Sequence, residues 1–470
     1  MTLGGAMTQQ GSMPRLVIAG VSSGVGKTTV TVALARALRT RGLRLALFKC
    51  GPDYLDPTYH ERATGSSSRN LDGWMMGKEA VLATFAHAAR GADLALIEGV
   101  MGFYDGASPT GEQGSTAEIA KWLEAPVALV VDAGGMSRSL AALVRGFVSF
   151  DLEARVAAVI ANRIGGRGHL ELLRSAQTFP PILGGLPVDR QHAFPERHLG
   201  LQTADASAVP EEWLDHWGAL AAEGFAFDAL TEIARSAPAL AAPVSGSAGT
   251  TNHVCRIGVA RDGAFHFYYD DNLRRLEALG AELHTFSPTR DASLPDVDGL
   301  YFGGGYPETF ARELSANTPM LSAVRAFARA GGPVYAECGG LMYLTRAIVT
   351  ASGERHSMVG LFSTEARMHD TLQALGYVEV ETQSTTILGE AGTRFRGHEF
   401  RYSELAPAPE PPSVHCVYSV RKRRGSECFR EGYRVNNVVA SYVHAHWASN
   451  PNVAAAFVAA CERFRCERGH

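Results

Sequence analysis

With 470 residues, 46% of them hydrophobic and 20% charged, the chain has room for roughly two to four domains and apolar material for more than one core. Its formal charge of −4, from 44 Lys and Arg against 48 Asp and Glu, excludes the basic face that nucleic acid or an anionic membrane surface requires. No apolar run approaches the roughly 18 residues that cross a bilayer. The seven cysteines form neither a CxxC pair nor a disulfide ladder, so a cytoplasmic, reducing location is expected.

Residues 1–14 lack a basic start and an apolar core, so they are expected to be a disordered extension, not a signal peptide, with Met13 an alternative start. A strand is expected over Arg15–Gly20, then a Gly-rich turn and a helix with apolar positions at Val30, Leu34 and Leu38. Further buried strands are expected over Leu43–Lys49, Asp93–Glu98, Pro126–Asp132 and Arg155–Asn162. Continuous apolar runs alternating with helical stretches indicate a doubly wound parallel sheet over 15–236. Residues 237–252 have the Ala/Pro/Ser/Gly composition of a linker. A second α/β domain, 253–470, follows, with strands at Arg256–Ala260, Gly299–Phe302 and Pro333–Glu337 and a helix at Asp271–Leu279. Ala351–Arg434 shows strand-like alternation, and the basic run Arg421–Arg424 reads as a solvated loop.

The turn after the first strand, GVSSGVGKTT over 20–29, has the chemistry of a phosphate loop. Its backbone N–H groups and the following helix N-terminus can surround phosphate oxygens. Gly24, Gly26, Lys27, Thr28 and Thr29 are the expected nucleotide-binding residues, with Lys27 reaching the β- and γ-phosphates and Thr28 ligating Mg²⁺. The loop is one residue off the common G-x4-G-K-[ST] spacing, since position 21 is Val. Magnesium also needs carboxylates. Glu98 ends a buried strand and Asp53 follows another, which is where a parallel sheet places its ligands.

Several stretches resemble a known family: LFKCGPDYLDPTYH (47–60), IEGVMGFYDG (97–106), PVALVVDAGG (126–135) and PERHLGL (195–201). They are similar to the cobyrinic (or hydrogenobyrinic) acid a,c-diamide synthases, whose N-terminal domain resembles dethiobiotin synthetase and shares the lengthened phosphate loop. The resemblance runs from Arg15 to about Arg465. It implies Thr28, Asp53 and Glu98 as the magnesium-site residues and Asn162 as the reader of adenine. It also implies Tyr54, Leu55, Asp56 and Asp105 as residues beside the substrate carboxylates.

A second site follows the strand ending at Glu337. There Cys338-Gly-Gly makes a nucleophile elbow at a helix N-terminus, which is expected to favour thiolate. His444 and His446 are candidate bases. The loop Gly303-Gly-Gly-Tyr-Pro-Glu308 is expected to offer the Gly304 N–H, with that of Gly339, to an oxyanion. Together these resemble a triad-type glutamine amidotransferase domain of the cobyrinate and cobyrate synthase branch, and the resemblance assigns His444 as the base. Where related enzymes carry His-x-Glu, this chain has His446, so the third triad member stays unassigned. GHEFRYS (397–403) matches a branch motif except at Arg401, where His is usual.

A carboxylate has a poor leaving group, so amidation requires ATP to make an acyl phosphate, and glutamine hydrolysis at Cys338 to supply ammonia along a shielded path. The expected reaction uses ATP, Mg²⁺ and L-glutamine to amidate the a and c acetates of a corrinoid, with no nucleic-acid or membrane partner and a homodimer allowed. The rivals are an amidotransferase for another tetrapyrrole, such as nickel-sirohydrochlorin, cobyric acid synthase, and a P-loop partitioning or regulatory ATPase.

Overall fold

The computed structural model describes residues 12–194, 209–240, 253–407, 414–425 and 427–469. The chain divides into two compact units, Met1–Ser245 and Gly246–His470. Residues 1–11 of the expected extension, the PERHLGL stretch and residues 241–252 of the expected linker lie outside the described residues. Residues 12–14 and 237–238 belong to the first unit. Ala95 N donates to Pro14 O, and the buried Arg15 donates to Met13 O and Pro238 O.

In the first unit the elements run β1 (Arg15–Gly20), α1 (Lys27–Thr40), β2 (Leu45–Cys50), α2 (Leu55–Thr64), β3 (Arg69–Leu71), α3 (Gly73–Ala88), β4 (Leu94–Glu98), α4 (Thr116–Trp122), β5 (Val127–Asp132), α5 (Arg138–Phe150), β6 (Val156–Ile164), α6 (Arg167–Ala176), β7 (Ile182–Pro187), α7 (Glu211–Gly224) and α8 (Phe227–Arg235). The strands form one sheet, ordered β3-β2-β4-β1-β5-β6-β7, and every pairing is parallel. The continuous apolar runs are buried on both faces, as a parallel sheet between helices demands. Strands β1, β2 and β4 end side by side, with Lys49 in register with Glu98, so the phosphate loop and both acidic segments leave the same edge. Helix α1 buries Val30, Leu34 and Leu38 in the core beneath. Truncating Leu34, which has no exposed surface, would cost roughly 2–5 kcal/mol.

The second unit continues with β8 (Cys255–Ala260), α9 (Asp270–Ala278), β9 (Ala281–Phe286), β10 (Gly299–Phe302), α10 (Ala311–Ala316), α11 (Thr318–Arg329), β11 (Val334–Glu337), α12 (Gly339–Leu344), β12 (Ala347–Val349), β13 (Arg355–Ser357), β14 (Glu365–Met368), β15 (Ala374–Thr382), β16 (Arg394–Arg401), β17 (Ser403–Ala406), β18 (His415–Lys422), β19 (Cys428–Val435), β20 (Val438–Ser441), β21 (His444–His446) and α13 (Asn452–Glu467). The main sheet has ten strands, ordered β21-β16-β15-β18-β19-β20-β11-β10-β8-β9. Its β20-β11-β10-β8-β9 half is parallel, and the rest is antiparallel. The alternating stretch 351–434 thus supplies an antiparallel extension plus most of a four-stranded sheet, β13-β12-β14-β17. The run 421–424 divides between the end of β18 and the turn after it. The sheet curls until Ala445 N on β21 donates to the Glu337 side chain on β11 at 3.0 Å. Fully buried Asn272 of α9 clamps β21, donating to Ala445 O and accepting from Trp447 N, each at 2.8 Å. No described helix is long and apolar enough to cross a membrane.

Candidate active sites

Two glycines shape the phosphate loop. Gly26 holds φ 87° at the cap of α1, and a Cβ there would collide with the Asn162 amide. Gly24 also has positive φ, 78°. Asn162, expected to read adenine, is 5% exposed and donates Nδ2 to Val25 O at 2.8 Å. Its amide nitrogen braces the loop from beneath. Lys27 Nζ donates to Ser22 O at 3.1 Å and Met101 O at 2.5 Å, carbonyls that phosphate oxygens can replace.

Beside the loop lies a buried charge cluster. Thr28 Oγ1 donates to Glu98 Oε1 at 2.7 Å, and Lys49 Nζ reaches the same oxygen at 2.9 Å. Lys49 also pairs with Asp56 Oδ2 at 2.7 Å. His60 Nε2 faces the other Glu98 oxygen at 2.6 Å, with its Nδ1 against Ser68 Oγ at 3.0 Å. Burial works to strip the Lys49 charge, yet Asp56, Glu98 and Asp53 outweigh it and raise the ammonium pKa. For Glu98, burial favours the neutral acid and Asp56 repels the anion. Lys49 and the His60 hydrogen bond nevertheless hold its pKa below the ordinary value.

Lys27, Thr28, Thr29, Lys49, Asp53, Leu55, Asp56, Tyr59, Glu98, Arg163 and Phe194 are among the residues around a cleft of about 470 Å³. Asp53 Oδ1 accepts Leu55 N at 2.8 Å and Asp56 N at 3.3 Å, so it also caps α2. Thr28, Asp53 and Glu98 bring only oxygen donors to the loop, which suits a hard cation such as Mg²⁺.

The expected substrate residues separate. Leu55 lines the cleft, while Tyr54 lies half-buried before α2. Asp56 lies on the cleft floor, 1% exposed and committed to Lys49. Asp105 is exposed and closes its own turn, accepting Gly102 N at 3.0 Å.

In the second unit Cys338 takes φ 46° and ψ −100°, a strained elbow between β11 and α12. Its N–H donates to Ser441 O at 2.7 Å. Gly340 permits the sharp turn, because a Cβ there would lie 2.6 Å from Phe302 O. The Gly303–Gly305 loop packs on the elbow: Gly340 N donates to Gly303 O at 3.0 Å. On its other side the loop meets His444, whose ring a Cβ at Gly304 would strike. Elbow, glycine loop and late histidine therefore converge.

Two expectations about this site require correction. Gly304 N–H is engaged, donating to Phe267 O at 3.2 Å, and Gly303 N–H donates to Tyr268 Oη at 2.8 Å. Gly305 N–H accepts no such role among the described residues. It lies 3.1 Å from the point a Gly339 Cβ would occupy, so the Gly305 N–H sits next to the elbow while that of Gly304 is taken. The second concerns the thiol. Burial pushes Cys338 up to about 12, Glu308 adds to the rise, and Arg401 and the Gly339 N–H only partly oppose it. The six-residue helix α12 does not make a resting thiolate.

Burial also drives the neighbouring imidazoles neutral. His444 falls to about 3 and His446 to about 4. His398, in the GHEF stretch, stacks on His444 with ring centres 5.0 Å apart and bonds Tyr269 Oη at 2.9 Å. His446 instead accepts Ala448 N through Nδ1 at 3.3 Å and packs on Tyr269, so it supports the β21 turn. Burial raises Glu337 to about 7, while Tyr335, Ala445 N and Tyr301 hydrogen-bond its carboxyl. Glu431, likewise near 7 through burial, accepts from Ser441 Oγ at 2.5 Å and Tyr442 N at 2.7 Å and so fixes the strand end facing Cys338.

Comparison with known proteins separates the same two regions. Residues 16–199 match the CobQ/CobB/MinD/ParA nucleotide binding domain, and residues 256–452 the CobB/CobQ-like glutamine amidotransferase domain. A cobyrinate a,c-diamide synthase of Leptospira interrogans is 52% identical over 96% of this chain and 99% of its own. The chain belongs to the cobyrinate a,c-diamide synthase family. It is accordingly a carbon–nitrogen ligase with a nucleotide-binding and a glutamine amidotransferase domain. Cobyrinate a,c-diamide synthases of Syntrophotalea carbinolica and Priestia megaterium are 47% and 41% identical over 96% and 97% of this chain, covering 99% and 98% of their own.

Sequence reasoning passed over several residues. His60 stands four positions after Asp56 on α2, a spacing that puts both on one face. Arg163 follows Asn162 at the edge of β6, donating to Asp132 Oδ2 at 2.5 Å and Gly24 O at 2.9 Å. Glu337 stands beside Cys338 but carries no motif of its own.

Proposed function

We propose that this chain amidates the a and c acetate carboxylates of cobyrinic or hydrogenobyrinic acid, using ATP, Mg²⁺ and L-glutamine. The observation that carries this reading is the Thr28–Glu98–Lys49–Asp56 cluster at the phosphate loop, in a chain whose other unit presents Cys338 on an elbow beside His444. The names of the relatives supply the substrate class.

In the first unit a substrate carboxylate oxygen attacks the γ-phosphorus of ATP, ADP leaves, and an acyl phosphate remains. Lys27 exchanges its two carbonyl partners for phosphate oxygens and follows the charge that moves there. Thr28, Asp53 and Glu98 would hold a magnesium ion, which would supply neutralising charge for the transferred phosphate. Lys49 and His60 keep Glu98 ionised and oriented toward Thr28. Positioning and electrostatics do most of the work in such a transfer.

In the second unit Cys338 Sγ gives its proton to His444 as it attacks the glutamine carboxamide. The N–H groups of Gly305 and Gly339 receive the oxyanion. His444 returns the proton to the departing ammonia, and water hydrolyses the thioester to glutamate. Ammonia then attacks the acyl phosphate, expelling phosphate and losing a proton to leave the amide.

The test is to incubate the protein with ATP, Mg²⁺, glutamine and, in turn, cobyrinate, hydrogenobyrinate and nickel-sirohydrochlorin, counting amides by mass spectrometry. Two amides on either corrinoid support the reading. Amidation of nickel-sirohydrochlorin alone, or ATP turnover without glutamate release, overturns it.

A further inference from the structure

A second cluster of ligand-type side chains lies outside the charge cluster of the cleft. Asp189 follows β7, and its Oδ1 closes a turn by accepting the N–H groups of Gln191 at 3.0 Å and His192 at 3.1 Å. Its Oδ2 meets His192 Nδ1 at 2.9 Å and, from α7, His216 Nε2 at 2.7 Å. The imidazole rings stand 4.1 Å apart. All three ligand atoms lie within 4.8 Å of one another, and the side chains are 21%, 27% and 38% exposed, so solvent and an ion can reach them. Among the described residues this is the one such group of three.

We propose that Asp189, His192 and His216 bind a zinc-type divalent cation that pins the segment after β7 to α7. Two imidazoles and one carboxylate suit zinc or another borderline transition ion, not magnesium, which prefers oxygen ligands and retained water. Zinc–nitrogen and zinc–oxygen bonds near 2.1 Å set ligand atoms roughly 3.4 Å apart in a tetrahedron. The two observed contacts must open by about half an ångström, which partly exposed side chains permit. Water supplies the fourth ligand. Without the ion, the carboxylate oxygen faces both rings through hydrogen bonds. With it, each ring presents a lone pair at the same nitrogen and carries its proton on the other, any excess proton passing to solvent. Nothing is oxidised or reduced.

The pin would bear on the cleft. His192 O accepts the Trp217 Nε1–H at 3.0 Å. Trp217 stacks on Phe194, with centres 5.0 Å apart and planes within 15°, and Phe194 meets Tyr59 at 4.6 Å. Phe194 and Tyr59 both line the cleft. Fixing His192 to His216 therefore fixes one aromatic wall of the nucleotide-binding unit, a role independent of which carboxylate is amidated.

The experiment titrates Zn²⁺ into the chelator-treated full chain by calorimetry, with Mg²⁺ present in excess to occupy sites made of hard ligands. Wild type is compared with His192→Gln, His216→Gln and Asp189→Asn, the last keeping the oxygen that closes the turn. Each histidine variant should lose one equivalent of zinc or bind it at least tenfold more weakly. Exposed thiols such as Cys428 and Cys466 would contribute equally to all. Co²⁺ should give tetrahedral absorption bands in wild type that vanish in His216→Gln. Absence of zinc binding by wild type, or the same stoichiometry and affinity in wild type and the histidine variants, overturns the proposal. An unchanged unfolding midpoint of the chelator-treated Asp189→Asn chain, together with weaker zinc binding, would separate loss of a ligand from loss of the fold.

Discussion

Lys49, Asp56 and Glu98 in the first unit are at least as hidden from solvent as Cys338, His444 and Glu337 in the second, yet burial acts on them differently. In the first unit each charge has an opposite partner within 3 Å, so the ammonium and Glu98 stay ionised. In the second, burial outweighs the neighbouring groups and shifts Cys338, His444 and Glu337 toward neutral forms: thiol, imidazole and carboxylic acid. The difference matches the chemistry proposed for each. Phosphoryl transfer needs fixed charge before substrate arrives, whereas a glutaminase needs a thiol and a base that exchange a proton only when an amide is present. The same burial thus leaves fixed charge where opposite charges are in contact, and neutral groups where desolvation prevails.

The largest expected effect lies on the neutral side. Cys338→Ala should lower glutamine-dependent amidation by about 10⁴-fold or more. Amidation fed by free ammonia at alkaline pH should continue, with ATP still consumed. Glutamine-dependent product in this variant would break the division between the two sites. His444→Ala should approach the same loss, because a thiol raised to about 12 cannot ionise without a base. The helix N-terminus, expected from the sequence to favour thiolate, does not offset that rise. On the charged side, Lys27→Ala should cost about 10²–10³ in rate with either nitrogen source. Retained ammonia-dependent rates would remove Lys27 from phosphate transfer.

The contrast also explains what could be read from sequence. Strands β1 and β10 were legible to the residue, since short apolar runs between turns leave little choice. The phosphate loop and the Cys338 elbow were legible as local chemistry. Partnership was not. Lys49 and Glu98 meet because β2 and β4 are neighbours, a fact of strand order that no local pattern carries. Gly304 and Gly305 are equivalent in sequence, and only the Phe267 carbonyl decides which N–H is taken. The thiol was misjudged because a helix terminus is visible in the sequence while the depth of burial is not.

Removing one member of the compensated cluster should therefore be costly even away from the chemistry. Lys49→Met leaves Asp56 and Glu98 buried without their cation, which should destabilise the first unit by roughly 3–5 kcal/mol in thermal or denaturant unfolding. A loss under about 1 kcal/mol would mean that the pairing is not what keeps these charges. Glu98→Gln and Asp53→Asn should instead raise the Mg²⁺ concentration needed for half-maximal rate, by about tenfold or more, while the fold survives. An unchanged magnesium requirement in either variant would exclude that residue as a ligand.

The smallest effect tests the neutral side through pH. The folded pKa of Glu337, about 7, lies above its ordinary value of 4.5, so between these limits the native chain holds a proton that the unfolded chain releases. The stability associated with that proton is fully present below about 4.5 and is lost as pH rises through 7. At about 1.4 kcal/mol per unit, the loss is on the order of 3 kcal/mol, and Glu431 adds a similar slope over the same window. Glu337→Gln keeps an oxygen for Tyr335 and Ala445 N and stays neutral at every pH. Its denaturation midpoint should therefore fall less between pH 5 and 8 than that of wild type, by roughly half, with Glu431 supplying the remaining slope. Trp447, the one tryptophan of the second unit, stacks on Tyr301 at 5.5 Å and offers a fluorescence probe of this transition. Equal slopes in wild type and variant would mean that Glu337 is ionised in the fold, and the second unit would then hold a buried charge like the first.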